Sequence, residues 1–392
     1  MAMGRKADGR QRETAPGGRR RRRLDPVEVA LFVALCAVLA IASIVLWPAA
    51  RAQLGALAGR AAARLEGEAA AGARSPDVEV GGARSSATGQ GAAAGPVKGS
   101  WRRGPDLPTE RSEVSAAVLD GTIYVLGGLA ADGRTLATVE ALPPGAEAWE
   151  TLPPLPEPRD HLAAVALDGR LYAVAGSPGW FGQQTSTTLW AYDPASGTWE
   201  ARAPLPLGRA AHAAVALDGK LYVAGGIGPE PERLLVYDPA QDRWEQKAPM
   251  SRPREHLAAA AADGLLYAIG GRWAGVGNLD TLEVYDPAMD AWRTLAPLPT
   301  ARGGLAAAVL EGRLYVTGGE ALDETRHTFA ELEVYDPRSE TWASGPPLPT
   351  PRHGLAAVAR DGELYVLAGG RLAGLEVSGV VEIFRPGVDL TP

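Results

Sequence analysis

From residue 101 onward, short apolar runs alternate with glycine, proline and aspartate, and this pattern predicts β-strands joined by tight turns. The stretch 212–226, HAAVALDGKLYVAGG, contains two apolar runs joined by Asp-Gly, the favoured two-residue hairpin turn. The stretch 234–246, LLVYDPAQDRWEQ, contains a second hairpin that turns through Asp-Pro. Together the two hairpins predict a small antiparallel sheet of four strands.

The same order of parts recurs six times along the chain. Tryptophans mark the copies at intervals of 45 to 50 residues: Trp101, Trp149, Trp199, Trp244, Trp292 and Trp342. A double glycine follows the first hairpin in five copies, and Ala175-Gly176 replaces it in the second. One arginine stands nine residues before the acidic residue of each Asp-Gly or Glu-Gly pair: Arg111, Arg159, Arg209, Arg254, Arg302 and Arg352. Residues 101–392 therefore consist of six related units.

Gly-Gly, Tyr-Asp-Pro and Trp at a spacing near fifty residues resemble the kelch repeat, whose known fold is a β-propeller of four-stranded blades. The resemblance covers residues 101 to about 386, although VEALPPGAEAW (139–149) lacks Tyr-Asp-Pro and the last copy has Phe384-Arg385-Pro386. This last copy stops after its third strand, whereas SWRRGPDLP (100–108) supplies a strand without a partner. We therefore expect an all-β, six-bladed kelch propeller closed by an N-terminal strand. An open array of six units is the alternative.

The first hundred residues predict a membrane anchor and a linker. Val29 to Trp47 is a run of nineteen residues without a charge, enough for a helix to cross roughly 30 Å of hydrocarbon. The preceding Arg19 to Arg23 favours a cytoplasmic N-terminus. A cleaved signal peptide is the alternative, because Ala50-Arg51-Ala52 fits a cleavage site, and it would make the protein secreted. The predicted segments are a basic cytoplasmic arm (1–24), a transmembrane signal-anchor helix (25–50), an Ala/Gly-rich linker (51–100) and an extracytoplasmic propeller (101–392).

Charge and cysteine content exclude several functions. Residues 1–24 carry a net charge of +7 and the whole chain carries −7, so the remaining body is acidic and a nucleic-acid partner is not expected. The single cysteine, Cys36, lies in the apolar run, which excludes the tyrosine–cysteine copper site of galactose oxidase, a known kelch propeller. The histidines lie on separate blades, so neither a metal site nor a cofactor is expected.

In an antiparallel blade with strands A to D counted from the axis, the D-to-A and B-to-C connections share one face. This face carries every variable segment, and loops on a rigid scaffold commonly carry function. The repeated arginines are expected to surround the channel mouth and favour an anionic ligand, although a purely structural role in the repeat is the alternative. Aromatic and histidine side chains complete the predicted ligand-binding face, and packing between loops is their alternative role: Trp180, Phe181, Trp273, His327, Phe329 and His353.

The sequence thus predicts a membrane-anchored extracytoplasmic module that binds a protein or a cell-surface glycan. The alternative is a channel-mouth enzyme acting on an acidic sugar, as the sialic-acid mutarotase among kelch proteins does. Its acid–base groups would be Glu113, His161, Glu255 and His256. A scaffold without a ligand of its own is the third possibility. An enzyme would bring a carboxylate and a histidine together in a pocket, whereas a binding module would present a broad aromatic surface.

Overall fold

The computed structural model describes residues 95–179 and 184–387, and these residues form six antiparallel blades and one small two-stranded sheet, with no helix among them. The first strand is β1 (Gly99–Arg103). Blade 1 contains β2 (Ser115–Leu119), β3 (Thr122–Leu126), β4 (Val139–Leu142) and β5 (Glu150–Thr151). Blade 2 contains β6 (Ala163–Leu167), β7 (Arg170–Val174), β8 (Leu189–Asp193) and β9 (Thr198–Arg202). Blade 3 contains β10 (Ala213–Leu217), β11 (Lys220–Ala224), β12 (Leu234–Asp238) and β13 (Arg243–Lys247).

The second half of the domain repeats this plan with two small additions. Blade 4 contains β14 (Ala258–Ala262), β15 (Leu265–Ile269), β18 (Leu282–Asp286) and β19 (Ala291–Thr294), and its B-to-C loop forms a hairpin of β16 (Arg272–Trp273) and β17 (Gly277–Asn278). Blade 5 contains β20 (Gly303–Leu310), β21 (Arg313–Ala321), β23 (Leu332–Asp336) and β24 (Thr341–Ser344), with β22 (His327–Thr328) paired to β21. Blade 6 contains β25 (Ala356–Arg360), β26 (Glu363–Leu367) and β27 (Val381–Pro386), together with β1.

The A strands of the six blades contact one another in a closed circle, in which β2 meets both β6 and β25. These strands are rich in alanine, and β14 consists of five alanines. Alanine disfavours strands on propensity alone. Its small side chain nevertheless suits the crowded axis of the ring, so tertiary packing decides the conformation.

The ring is closed by the N-terminal strand, as the sequence predicts. β1 pairs antiparallel with β27 and places Trp101 opposite Phe384, with the two ring centroids 5.2 Å apart. The indole Nε1 of Trp101 also donates a hydrogen bond to the carbonyl of Pro346 at 2.9 Å. This pairing removes a free sheet edge at the point where the two ends of the domain meet.

The apolar core lies between neighbouring blades. One core cluster joins Val174 and Leu189 of blade 2 to Leu221 and Val223 of blade 3. The repeated tryptophan tethers its D strand to the preceding blade, as when Trp244 Nε1 donates to the carbonyl of Ala203 at 2.8 Å. The repeat residues therefore hold the blades together.

Within 95–179 and 184–387 there is no helix of sufficient length and hydropathy to cross a membrane. The predicted span, residues 29–47, lies outside the described residues. Its anchoring role therefore stays a prediction.

Candidate functional site

The six repeated arginines are buried and do not form the exposed cationic rim expected from the sequence. Their relative exposure is between 0 and 3%. In four blades the guanidinium pairs with a glutamate of strand C: Arg111 with Glu140 at 3.0 Å, Arg254 with Glu283 at 2.7 Å, Arg302 with Glu333 at 2.9 Å, and Arg352 with Glu382 at 2.6 Å. These side chains link the D-to-A segment to strand C, which agrees with the structural alternative and removes the reason for expecting an anionic ligand.

The other two blades lack this glutamate, and their arginines have different partners. Arg159 lies over the ring of Trp190, 4.9 Å from its centroid, and pairs with the exposed Glu157. Arg209 donates to the carbonyl oxygens of Pro229 and Glu230 at 2.5 and 2.7 Å. Burial lowers the pKa of Arg209 to about 10, so the group remains charged at neutral pH.

Two residues after each arginine, the backbone enters the left-handed region with φ between 51° and 68°, at Glu113, His161, Ala211, His256, Gly304 and Gly354. From His161 to Gly354, the backbone amide of each of these residues donates a hydrogen bond to the carbonyl of the equivalent residue in the preceding blade, at 2.8 to 3.2 Å. The amide of Val114 donates to the carbonyl of Gly354 at 3.4 Å and closes the circle. We call these six residues the backbone girdle. Left-handed conformations are costly for residues other than glycine, and such strain concentrates at functional positions.

Three girdle side chains meet at the channel mouth, in a cavity of about 80 Å³. The Nε2 of His161 lies 3.3 Å from Oε2 of Glu113, and the Nε2 of His256 lies 4.0 Å from the same oxygen. The two imidazole rings face each other edge to face, with centroids 4.9 Å apart. A carboxylate and two histidines from three different blades therefore form one cluster.

The opposite ring nitrogen of each histidine faces an acceptor supplied by a neighbouring residue. The Nδ1 of His161 lies 2.6 Å from Oδ1 of the fully buried Asp160. The Nδ1 of His256 contacts a carboxylate oxygen of Glu255, which also pairs with Arg272. With Nδ1 of His161 protonated and donating to Asp160, the Nε2 of His161 carries the lone pair that points toward Glu113.

His353 adds a third imidazole beside the cluster. Its Nδ1 lies 3.1 Å from the carbonyl of Gly370, and its Nε2 lies 3.8 Å from Oε1 of Glu113 and 3.7 Å from Oε2 of Glu320. The residue is 1% exposed and Nε2 has no hydrogen-bond partner in the described part of the chain. This buried nitrogen is therefore directed at two carboxylates.

The two girdle histidines have pKa values displaced in opposite directions. Burial tends to lower the pKa of His161, but the charges of Glu113 and Asp160 outweigh it and raise the pKa above its usual value. Burial, with the charge of Arg272 next in size, holds the pKa of His256 well below its usual value. Paired groups with diverging pKa values can serve as proton donor and proton acceptor.

The cluster also offers metal ligands. The ligand atoms of Glu113, His161 and His256 all lie within 4.8 Å of one another. No metal site was expected from histidines on separate blades, but the girdle brings equivalent positions of different blades to the same axis, as the channel-mouth alternative for Glu113, His161 and His256 requires. The signal in the sequence was that His161 and His256 share one offset, two residues, from the repeated arginine.

The remaining predicted residues are more dispersed. Trp273 lies in the β16–β17 hairpin, and His327 packs against Phe329 with ring centroids 4.6 Å apart, so this pair fits the loop-packing alternative. Trp180 and Phe181 lie outside the described residues. Buried His212 lines the channel mouth, has no partner for either ring nitrogen in the described part, and its pKa is lowered by burial to about 3.

Exposed aliphatic side chains that were not predicted from the sequence lie on the same face. Val276, Leu322, Leu372 and Leu375 lie in the B-to-C loops of blades 4, 5 and 6 and are 46 to 68% exposed. We call these four residues the loop patch. Hydrogen bonds join the three loops, from Asn278 Nδ2 to the carbonyl of Glu320 at 2.8 Å and from Thr328 Oγ1 to that of Arg371 at 2.9 Å.

Comparisons with known proteins agree with this architecture. Residues 97–252 and 200–370 match the sequence family described as the KLHDC2/KLHL20/DRC7 Kelch-repeats domain. A solved structure described as "Structure of YjhT" aligns with a TM-score of 0.62 at 18% identity, covering 71% of this chain and 96% of that chain. At this identity the likeness concerns the fold. No curated protein shows significant sequence similarity to the chain.

Proposed function

Because the chain belongs to the kelch-repeat family, we propose that its propeller is a protein-binding module that engages a partner through the loop patch. In this proposal residues 29–47 anchor the chain in a cell membrane and the propeller lies on the extracytoplasmic side. Membrane anchoring would restrict the module to partners that reach the same membrane surface.

The observation that carries the proposal is the concentration of exposed aliphatic side chains on three adjacent loops. Leu372 is 68% exposed, Val276 and Leu375 are each 56% exposed, and Leu322 is 46% exposed. Apolar surface concentrated on one region commonly marks an interaction site, and loops of a rigid scaffold are suited to presenting it. The patch residues are therefore candidate anchors for a partner.

The chemistry around the patch favours a protein partner with apolar and basic residues. Four exposed carboxylates lie in the same loops, at Asp280, Asp323, Glu324 and Glu331, whereas the exposed cations are Arg326 and Arg371. An acidic border steers a basic partner and repels an acidic one. Aliphatic side chains also lack the flat ring face on which sugars stack, so the patch suits a protein better than a glycan.

The direct test uses the full-length chain displayed in its own membrane. Proximity labelling and cross-linking should recover a reproducible partner with the wild-type chain, and Leu372→Asp with Leu375→Asp should abolish its recovery. A charge placed at the centre of an apolar interface leaves an unpaired, desolvated group, which explains the expected loss.

Met289→Asp is the matched control. Met289 is 74% exposed and lies in the C-to-D turn of blade 4, on the opposite face of the propeller. This variant should keep the partner. Equal recovery with patch variants and wild type, or equal loss with Met289→Asp, would contradict the proposal.

The membrane location has a separate test. Protease added to intact cells should remove a propeller that lies outside the membrane and should spare one that lies inside. Protection of the propeller in intact cells, followed by digestion after the cells are opened, would contradict the extracytoplasmic location while leaving the loop-patch proposal open to its own test.

A second candidate is a channel-mouth enzyme acting on an acidic sugar, and the contact between Glu113 and His161 favours it. The cavity of about 80 Å³ counts against it, since ligand pockets usually measure about 300–1,000 Å³. Nuclear magnetic resonance can follow the exchange between the two anomers of sialic acid. Acceleration by the wild type that is lost in Glu113→Gln but retained in Leu372→Asp would favour the enzyme.

A further inference from the structure

Three histidines at the channel mouth present the same ring nitrogen to a single carboxylate. The Nε2 atoms of His161, His256 and His353 lie 3.3, 4.0 and 3.8 Å from oxygens of Glu113. The Nδ1 atom of each ring faces an acceptor, in Asp160, Glu255 or Gly370. Three lone pairs and a carboxylate that face one another repel unless a proton or a cation lies between them.

We propose that Glu113, His161 and His256 bind a divalent transition-metal ion of the zinc class. In a tetrahedral site with bonds of about 2.0–2.1 Å, neighbouring ligand atoms are about 3.3 Å apart. The separation of 3.3 Å between His161 and Glu113 matches this value, whereas the His256 nitrogen, 4.0 Å from Glu113 and within 4.8 Å of both other ligand atoms, would move closer when the ion binds. Two histidines and one glutamate form a ligand set that zinc enzymes use.

The surroundings of the two histidines match those of metal-bound imidazoles. Metal-ligating histidines usually donate their other N–H to a carboxylate or a carbonyl, which fixes the tautomer and the ring orientation. Asp160 accepts such a bond from His161 with a fully buried side chain, and a carboxylate oxygen of Glu255 contacts the Nδ1 of His256. The carboxylate comes from the residue immediately before each histidine, so the same local geometry recurs on two blades.

The local charge also favours a cation. The carboxylates of Glu113, Asp160, Glu255 and Glu320 lie in or directly behind the cluster, with side-chain exposures of 13, 0, 15 and 3%. Arg272 supplies one positive charge and pairs with Glu255 and Glu320. With neutral histidines, the four carboxylates and Arg272 have a formal net charge of −3. Burial of such an excess of negative charge costs free energy. A bound dication would reduce the net charge to −1.

Two further features are consistent with a ligand at this point. The buried Nε2 of His353 has no hydrogen-bond partner in the described part of the chain. It faces the cluster from blade 6, which neighbours the blade that carries Glu113. At Gly354, an added Cβ would lie 2.5 Å from Oε1 of Glu113, so this glycine leaves space for the carboxylate. His353 is thus placed as an additional ligand or as a partner for a metal-bound water.

The proposed ion would retain an open position. Three protein ligands leave one tetrahedral site free, and the cavity of about 80 Å³ borders it. A water occupies about 30 Å³ of liquid volume, so the mouth has room for water or a small anion at the metal. This arrangement corresponds to zinc sites that exchange a ligand, in contrast to closed structural sites.

The test is zinc binding by the full-length chain, purified in detergent and stripped of metal with a chelator. Competition with a chromogenic chelator should show one Zn²⁺ per chain. Glu113→Gln and His256→Ala should each weaken binding by more than the roughly 10–100-fold typical of outer-shell changes, and Asp160→Asn should fall within that range. X-ray absorption at the zinc edge should show imidazole and carboxylate ligands in the wild type.

His327→Ala is the matched control, because His327 is exposed in a B-to-C loop and is not part of the cluster. Its zinc affinity should equal that of the wild type. Thermal unfolding in the absence of metal checks that each variant folds. If His256→Ala does not fold, the nearly isosteric variants Glu113→Gln and Asp160→Asn still provide the test. Wild-type affinity in Glu113→Gln, loss of zinc in His327→Ala, or no zinc binding by the wild type would overturn the proposal.

Discussion

The repeated arginines and the girdle residues are separated by two positions on the same segment of each blade, yet they differ in what the repeat keeps constant. The arginines have one identity in all six copies, are buried, and pair with glutamates, an indole ring or carbonyl groups. The girdle repeats only its backbone conformation, while its side chains range from glycine to glutamate. Within this repeat protein, a repeated side chain marks the scaffold and a repeated backbone with varied side chains marks the candidate site.

The difference follows from what each position faces. An arginine side chain enters a closed space beside strand C, where one shape and one charge fit in every blade. A girdle side chain faces the open channel, where neighbouring blades impose no common shape. The circle of amide-to-carbonyl hydrogen bonds holds the backbone in place irrespective of the side chain, so chemistry can vary there without loss of the fold.

The largest expected effect concerns the buried ion pairs. Glu283→Ala removes the carboxylate 2.7 Å from Arg254 and leaves a buried guanidinium without its counter-ion. We expect the free energy of unfolding to fall by about 3–5 kcal/mol. Chemical denaturation measures it, with Glu340→Ala as control, because the Arg293–Glu340 pair is exposed and such pairs contribute about 0–1 kcal/mol. Similar losses in the two variants would contradict a scaffold role for the buried pairs.

The next effect concerns His212, which follows girdle residue Ala211 and has no carboxylate partner, in contrast to His161. Its pKa is lowered by burial from 6.5 to about 3, so the folded state remains neutral while the unfolded state takes up a proton below pH 6.5. The contribution of His212 to the free energy of unfolding is therefore fully present above pH 6.5 and is lost as the pH decreases toward 3. At pH 5 the loss is about 2 kcal/mol for this group.

His212→Gln should flatten this acid-side decrease, which unfolding measurements between pH 7 and 5 would detect. His327→Gln, at an exposed histidine, is the control and should leave the pH profile unchanged. An unchanged slope in His212→Gln would mean that His212 is protonated in the folded protein.

A smaller effect separates two girdle glycines. Gly304→Ala and Gly354→Ala both place a Cβ at positive φ, 68° and 57°, which costs about 1–2 kcal/mol. At Gly304 the nearest atoms lie 3.6 Å away, whereas at Gly354 the new Cβ would lie 2.5 Å from Glu113 Oε1. Unfolding and zinc titration should show a loss of zinc affinity in Gly354→Ala alone. Equal zinc affinities in the two variants would contradict the role of Gly354 in positioning Glu113.

The smallest effect concerns the loop patch. Leu375→Asp and Met289→Asp replace exposed side chains, 56% and 74% exposed, so each should change the free energy of unfolding by at most about 0.5 kcal/mol. Thermal unfolding measures this directly. A large loss in Leu375→Asp would show that the leucine supports the fold, and its use as a binding probe would then be unsound.

The repeat pattern was sufficient to predict six blades, the four strands of each blade and closure between Trp101 and Phe384. These features depend on local turn chemistry and on a period that six copies reinforce. The position of the arginines was predicted correctly along the chain but not in space, because a charged residue beside a channel has the same sequence signature whether it is exposed or buried. Its glutamate partner lies about thirty residues away on strand C, and nothing local connects the two.

By itself, the sequence determined the architecture, since Asp-Gly turns, double glycines and spaced tryptophans specify strands and blades through short-range geometry. It also indicated which face carries the variable loops. Only the tertiary structure decided that Glu113, His161 and His256, up to 143 residues apart in the chain, share one cavity. Distances across the axis depend on how six blades close into a ring, and closure is a property of all the blades together.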